Sequence, residues 1–201
     1  MRRLLLVGAV LLVLAGVAGA SVWLWANAGG AHGSGWYARA VYPLKYEEAI
    51  RAAAHHNHLD PALVAAVIYA ESRFDPSARS DHGAVGLMQV LPETAAQIAR
   101  ETGGVAFVPG DLEDPEVNVR YGTYYLRTVL DMFDGDKIAA IAAYNAGAGA
   151  VQEWVDAAHA EGRELRLSDI PYPETRAYVR AVLEARRVYR ETYADRLGLP
   201  S

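Results

Sequence analysis

One acid in this chain is placed where it could move a proton. Glu71 follows a run, Ala62 to Ala70, in which the Tyr69 hydroxyl is the only polar side-chain group. Asp60 can cap the first free amides of a helix there, and Pro61 suits the first helical position. A helix that is apolar on all sides is a buried helix. Glu71 lies one turn past Val67 and three residues past Ile68, so it shares their face. Desolvation and the negative end of the helix dipole both disfavour a carboxylate at that place. A carboxyl kept protonated near neutral pH is what a general acid needs. The competing reading is a helix-end glutamate turned out to solvent. Asp75 reads as a turn acid, and Asp81, after Ser80, is the best candidate for a second carboxylate. His55 and His58 stand at helical spacing, but no further ligand has usable spacing nearby. A solvated helix end is the preferred reading, and neither a metal nor a cofactor is expected.

The elements that must hold this acid read as helices. Lys45 to Asn57 is amphipathic, with Ile50, Ala53 and Ala54 inward. Asp75-Pro76 breaks the central helix, and a loop with Gly83 and Gly86 leads to Leu87-Met88-Gln89. Pro92 starts a helix that ends near Gly103-Gly104, and Val105 to Glu113 is an irregular connection. Asp114-Pro115 starts a long helix to about Phe133, with Val117, Tyr121, Tyr124, Tyr125, Val129 and Met132 as its apolar residues. Lys137 to Ala146 is a helix of small residues stopped by Gly147. Val151 to Ala160 is another, and the last runs from about Glu174 to about Arg196. No stretch alternates with period two over a strand's length. The expected fold is all-α, packed around the Asp60–Ser72 helix.

Several short motifs occur in a set order: Glu71-Ser72, Ser80, Gly83-Ala84, Gly86 to Gln89, Ala143 to Gly147, and Glu174 to Val179. Asn118, Gly122 and Tyr125-Leu126 belong to the same pattern. Together they resemble the lytic transglycosylases of the soluble-lytic (SLT, goose-lysozyme-like) type, over about Tyr46 to Tyr189. The resemblance implies a lysozyme-like helical domain that cleaves peptidoglycan glycan strands next to N-acetylmuramic acid. It implies one carboxyl, Glu71, acting first as acid and then as base. The sugar's own N-acetyl oxygen would stabilise the cationic centre, helped by Ser80 and Tyr178, and a 1,6-anhydro end would form. Met88 would line the cleft, Gln89 would bond substrate or the acid, and Tyr144 and Asn145 would lie in the glycan cleft. Each also has a plainer reading. Gly83 and Gly86 serve as turn glycines, Met88 as core filler, Tyr144 as a packing residue, Asn145 as a helix cap, and Tyr178 as one tyrosine on an amphipathic helix. Two other functions stay open: a hydrolase in which Asp81 activates water, and a catalytically silent glycan-binding protein.

Composition narrows the partners. The chain has 201 residues, 52% of them hydrophobic, and no cysteine, which excludes disulfides, thiol catalysis and a lipoprotein anchor. Leu4 to Trp25 is 22 residues without a charge, about 33 Å as a helix and enough to span a bilayer core. Arg2 and Arg3 precede it, which leaves 17 basic against 24 acidic residues, a net charge of −7, in the rest. That balance argues against nucleic acid. The expected layout is an anchor or signal peptide over 1–26, a flexible linker over 27–41 and the catalytic domain over 42–201. An uncleaved single-pass anchor is favoured over a signal peptide cut near Ala26-Asn27-Ala28. Either way the domain is extracytoplasmic, and secreted if cleaved. The sequence names no protein partner.

Overall fold

The computed structural model describes residues 35–103 and 108–200. The chain divides into two units between Pro43 and Leu44. The expected membrane span and residues 27–34 of the expected linker lie outside the described residues. Within the rest of that stretch, α1, Gly35–Val41, is helical, with Trp36 and Tyr37 in edge-to-face contact at 5.9 Å.

The second unit is helical. It contains α2 (Glu47–His56), α3 (Pro61–Ser72), α4 (Pro92–Glu101), α5 (Pro115–Met132), α6 (Lys137–Ala146), α7 (Ala148–Ala160) and α8 (Pro173–Leu197). Short 3-10 turns over Pro109–Glu113 and Leu167–Asp169 join them. Among the described residues the only extended pairings are single bridges, Arg79 with Val85 and Val85 with Val90.

Helix α3 is the centre. The Asp60 carboxylate accepts from the Ala62 amide at 3.0 Å, and Pro61 fills the first helical position. Ala62 through Tyr69 are all buried, as a stripe-free apolar helix requires. Each fully buried Leu63, Val67 or Ile68 contributes about 1.5–3 kcal/mol relative to exposure. Helix α8 packs along α3 and is tied to its start: Arg186 and Arg190 both reach the Asp60 carboxylate, at 2.7 and 3.1 Å. Lower down, Tyr69 and Phe74 meet the fully buried Tyr189 edge-on, each at 6.2 Å. Arg73 and Phe74 both take left-handed φ, 54° and 64°. That pair of residues turns the chain sharply away at the end of α3 and leaves Glu71 at the rim.

Two expectations need correction. The buried stripe of α5 is Asn118, Val119, Gly122, Thr123, Leu126, Val129 and Leu130, not the tyrosine-rich face. Val117 and the three tyrosines are only partly buried, and Met132 is 51% exposed. Tyrosines suit the flank as apolar rings with a polar tip, while small and hydrogen-bonded residues let α5 approach the loop before α4. Helix α7 also starts three residues earlier than expected, at Ala148. Gly147, at φ 86°, ends α6 and at once precedes α7.

Candidate active site

Glu71 stands in the last turn of α3 and is partly exposed. The Tyr178 hydroxyl, from the second turn of α8, donates to its Oε1 at 2.5 Å. Burial pushes the carboxyl up from its ordinary value of 4.5 to about 7; the Tyr178 hydrogen bond opposes this and is the smaller effect. Desolvation of the anion therefore wins over one donated hydrogen bond. No cationic side chain among the described residues contributes to the shift. The result is a carboxyl that both holds and releases a proton near neutrality, the property a group needs to serve as acid and then as base.

The loop from Phe74 to Val90 is built on backbone groups. Asp75 accepts from the Ser77 amide and hydroxyl at 2.9 and 2.7 Å, which closes a turn and holds the exposed Asp75 carboxyl below its usual range. The Ser80 hydroxyl oxygen accepts from the Ala84 amide at 3.0 Å, and Gly83, at φ 83°, has open space around its Cα. Gly86 differs. Its φ is 79°, and a Cβ there would lie 2.3 Å from the Asn118 amide nitrogen and 2.7 Å from the Leu112 carbonyl. The close approach that needs this glycine is thus to the protein itself. Ser72 ties the loop to α3 by donating to the Leu87 carbonyl at 2.8 Å.

The Met88 side chain takes the plainer of its two readings, as core filler. Met88 is fully buried, packed against Gly122, so its side chain does not face a cleft. What it presents to the site is its peptide: the Met88 carbonyl accepts from the Tyr144 hydroxyl at 2.9 Å. Gln89 takes a left-handed φ of 49°. Its amide nitrogen donates to the carbonyls of Ala78 and Gly86, at 3.0 and 2.9 Å, and so braces the loop. Gln89 still lines a cavity of about 300 Å³ with Leu91, Thr94, Tyr125, Tyr144 and Asn145.

Helix α6 brings Tyr144 and Asn145 to the same rim. Burial raises the Tyr144 hydroxyl well above its usual value, and the nearby Glu71 and Tyr125 raise it further. Tyr125 of α5 leans on Tyr144 with ring centroids 5.3 Å apart. Asn145 is exposed, and its side-chain oxygen accepts from Thr175 of α8 at 2.8 Å. Burial likewise raises Tyr178 well above its usual value, with Glu71 and Tyr144 adding to the effect. Glu71, Tyr144 and Tyr178 therefore come together, with Asn145, Gln89 and Tyr125 around the adjoining cavity. Asp81 is exposed, in the turn that follows Ser80. The role of Asn118 was not legible: it is a buried polar residue bonded to Met88, Val85 and Leu112. No three His, Asp or Glu side chains among the described residues group as metal ligands.

Comparison with known proteins adds a lineage. The family described as the transglycosylase SLT domain matches residues 48–166, a stretch that ends before α8 brings in Tyr178. The soluble lytic murein transglycosylase of Escherichia coli K12 is 34% identical over 164 residues, 80% of this chain and 25% of that protein. A membrane-bound lytic murein transglycosylase C of Salmonella arizonae is 30% identical over 73% of this chain and 46% of that one. Among solved structures, the 70 kDa soluble lytic transglycosylase of Escherichia coli superposes with a TM-score of 0.74 at 33% identity, over 82% of this chain and 27% of that one. A lytic transglycosylase of Pseudomonas aeruginosa gives 0.70 at 34%, over 80% and 25%. This chain spans about a quarter of the length of these soluble relatives. With more than half of its residues matched, and the lysozyme-like helical fold shared, the chain belongs to the transglycosylase SLT domain family.

Proposed function

We propose that this chain is a peptidoglycan lytic transglycosylase. It cleaves the β-1,4 bond between N-acetylmuramic acid and N-acetylglucosamine and leaves a 1,6-anhydromuramic end. The observation that carries this reading is the Glu71 carboxyl, poised near pH 7 by burial at the rim of the site and bonded by Tyr178. Relatives named as lytic murein transglycosylases support it.

The reaction divides into two steps. Glu71 gives its proton to the glycosidic oxygen, the C1–O bond breaks, and the acetamido oxygen closes onto C1. Tyr178, already bonded to one oxygen of Glu71, steadies the carboxylate that forms. In the second step the carboxylate takes the proton from the C6 hydroxyl, and O6 displaces the acetamido oxygen from C1. Acid and base are the same group, so no second carboxylate is consumed, and Glu71 returns to its starting state. Tyr144, Asn145 and Gln89 bind the strand along the adjoining cavity, Ser80 assists at the acetamido group, and Met88 contributes through its carbonyl. The acid must be protonated in the free enzyme, so kcat/KM falls as pH rises through about 7.

We further propose that Leu4 to Trp25 anchors residues 42–201 at the outer face of the membrane. Relatives named as membrane-bound support that placement. The segment lies outside the described residues, and among those no helix is long and apolar enough to cross a membrane. The test of the catalytic reading is Glu71→Gln on purified cell wall. Release of soluble fragments should fall by a factor of at least about 10³. Release at near the wild-type rate would remove Glu71 as the acid.

A further inference from the structure

We propose that Asn118 is a positioning residue for the reaction: by holding the Met88 N–H, it fixes residue 88 so that the Met88 carbonyl keeps the Tyr144 hydroxyl engaged and away from the Glu71 carboxyl. This rests on Glu71 being the acid, as proposed above.

The side chain of Asn118 is fully buried in α5. Its Oδ1 accepts from the Met88 amide at 2.8 Å. Its Nδ2 donates to the carbonyls of Val85 at 2.7 Å and Leu112 at 2.9 Å. One side chain therefore uses both donors and one acceptor position on three backbone groups from two connections. Gly86 lies directly against the same amide, and Gly122, one turn further along α5, receives the Met88 side chain. Met88 is thus held through two successive peptides. Its N–H, in the Leu87–Met88 peptide, donates to Asn118 of α5, and its C=O, in the Met88–Gln89 peptide, accepts from Tyr144 of α6.

A tyrosine hydroxyl has one proton to give. Tyr144 gives it to Met88, although the Glu71 charge is close enough to raise the Tyr144 pKa. Glu71 accepts from Tyr178 alone of the two tyrosines. A second hydroxyl donated to the carboxylate would favour the anion, lower the pKa and leave less of the group protonated near neutral pH. The titratable groups facing Glu71 are Tyr178 from α8 and Tyr144 from α6, with Tyr125 of α5 behind the latter. The charged or titratable side chains of the loop, Arg73, Asp75, Arg79, Asp81 and His82, are exposed and do not perturb the acid. Without Asn118 the Met88 N–H loses its buried partner. The flanking groups stay tied, the Leu87 carbonyl to Ser72 and the Gln89 N–H to Gly86; residue 88 between them shifts to pair its N–H again, its carbonyl leaves Tyr144, and the freed hydroxyl finds the Glu71 carboxylate.

The test is the pH profile of kcat/KM on purified peptidoglycan, using the full chain in detergent. Asn118→Ala carries no charge, so it has no direct field on the acid. It should move the high-pH limb down by about one pH unit. Tyr144→Phe, which removes a hydroxyl the acid does not use, should leave that limb within about 0.3 pH unit of wild type, whatever it does to the rate. In the double variant the limb should return to the wild-type position, because no hydroxyl remains to be freed. A purely structural Asn118 lowers the rate or the melting temperature and leaves the limb in place, which overturns the proposal. So does a Tyr144→Phe limb that rises by a pH unit, since Tyr144 would then already donate to Glu71. If Asn118→Ala does not fold, Asn118→Ser, too short to reach the Met88 N–H and able to bond its own helix, takes its place, with the same shift of the limb expected and an unmoved limb overturning the proposal. If Glu71→Gln retains activity, the catalytic reading fails first; if it is inactive and the limb does not move, only the role of Asn118 fails.

Discussion

Replacing Glu71 by glutamine should make the domain more stable at neutral pH, by an amount that depends on pH. In the fold the carboxyl titrates near 7 in place of its ordinary 4.5, because burial penalises the anion more than the Tyr178 hydrogen bond favours it. Between those two values the native state binds more protons than the unfolded state. Stability from this site is therefore fully present at low pH and falls as pH rises through the window. Linkage makes the deficit negligible near pH 4, about 1 kcal/mol near pH 5 and about 3 kcal/mol near pH 7, where it levels off. Glutamine keeps an oxygen for Tyr178 and cannot ionise. Urea denaturation of Leu44–Ser201, wild type and variant, across about pH 4 to 8 reads the difference from the midpoints at a common slope. The two proteins should match near pH 4 and separate by about 3 kcal/mol near pH 7, with the inactive variant the more stable. A difference that stays flat across the range would show that Glu71 titrates normally. A variant that loses ground as pH rises would show that the carboxylate is held ionised. Either result refutes the argument that burial poises the acid.

Other consequences follow from the same contacts. Tyr178→Phe removes the one hydrogen bond that favours the carboxylate. The high-pH limb of kcat/KM should rise, by up to about one pH unit, while kcat drops. Gly86→Ala must overcome both a φ of 79° and a 2.3 Å collision with the Asn118 amide, and should destabilise by more than about 3 kcal/mol. At Gly83, where only the φ of 83° resists, the same change should cost about 1 kcal/mol by thermal denaturation. Cell fractionation should recover the chain in the membrane with Leu4 to Trp25 intact; a soluble protein starting near Gly29 would contradict the anchor.

What was legible follows from the physics of each element. Helix α3 announces itself because a cap, a proline and an unbroken apolar run admit one reading, and the structure bounds it at Pro61–Ser72. Helices α4, α6 and α8 likewise begin and end within a residue or two of their punctuation. The buried face of α5 was not legible. Its tyrosines suggest a core, yet the face turned inward carries Asn118, Gly122 and Thr123, whose burial depends on partners distant in sequence. The loop before α4 was legible as punctuation only. Gly86 could be recognised as special, but not that Asn118 is what presses on it. Met88 and Gln89 show the limit most clearly. Their register with Glu71 marks them, while the structure uses the peptide of one and the amide of the other to brace the loop. Glu71 itself was legible in position and in the direction of its shift, and its partnership with Tyr178, 107 residues on, came only from the resemblance and the fold.

The most direct test of the central claim is the fate of water at the cut. Purified peptidoglycan is digested by the protein in ¹⁸O-labelled water, with EDTA present, and the released muropeptides are weighed. Transglycosylation by Glu71 alone predicts 1,6-anhydromuramic ends that carry no label, formed at an undiminished rate. Reducing ends that each carry one ¹⁸O would make the protein a hydrolase, contradict the single-carboxyl mechanism and return Asp81 to consideration as the group that activates water.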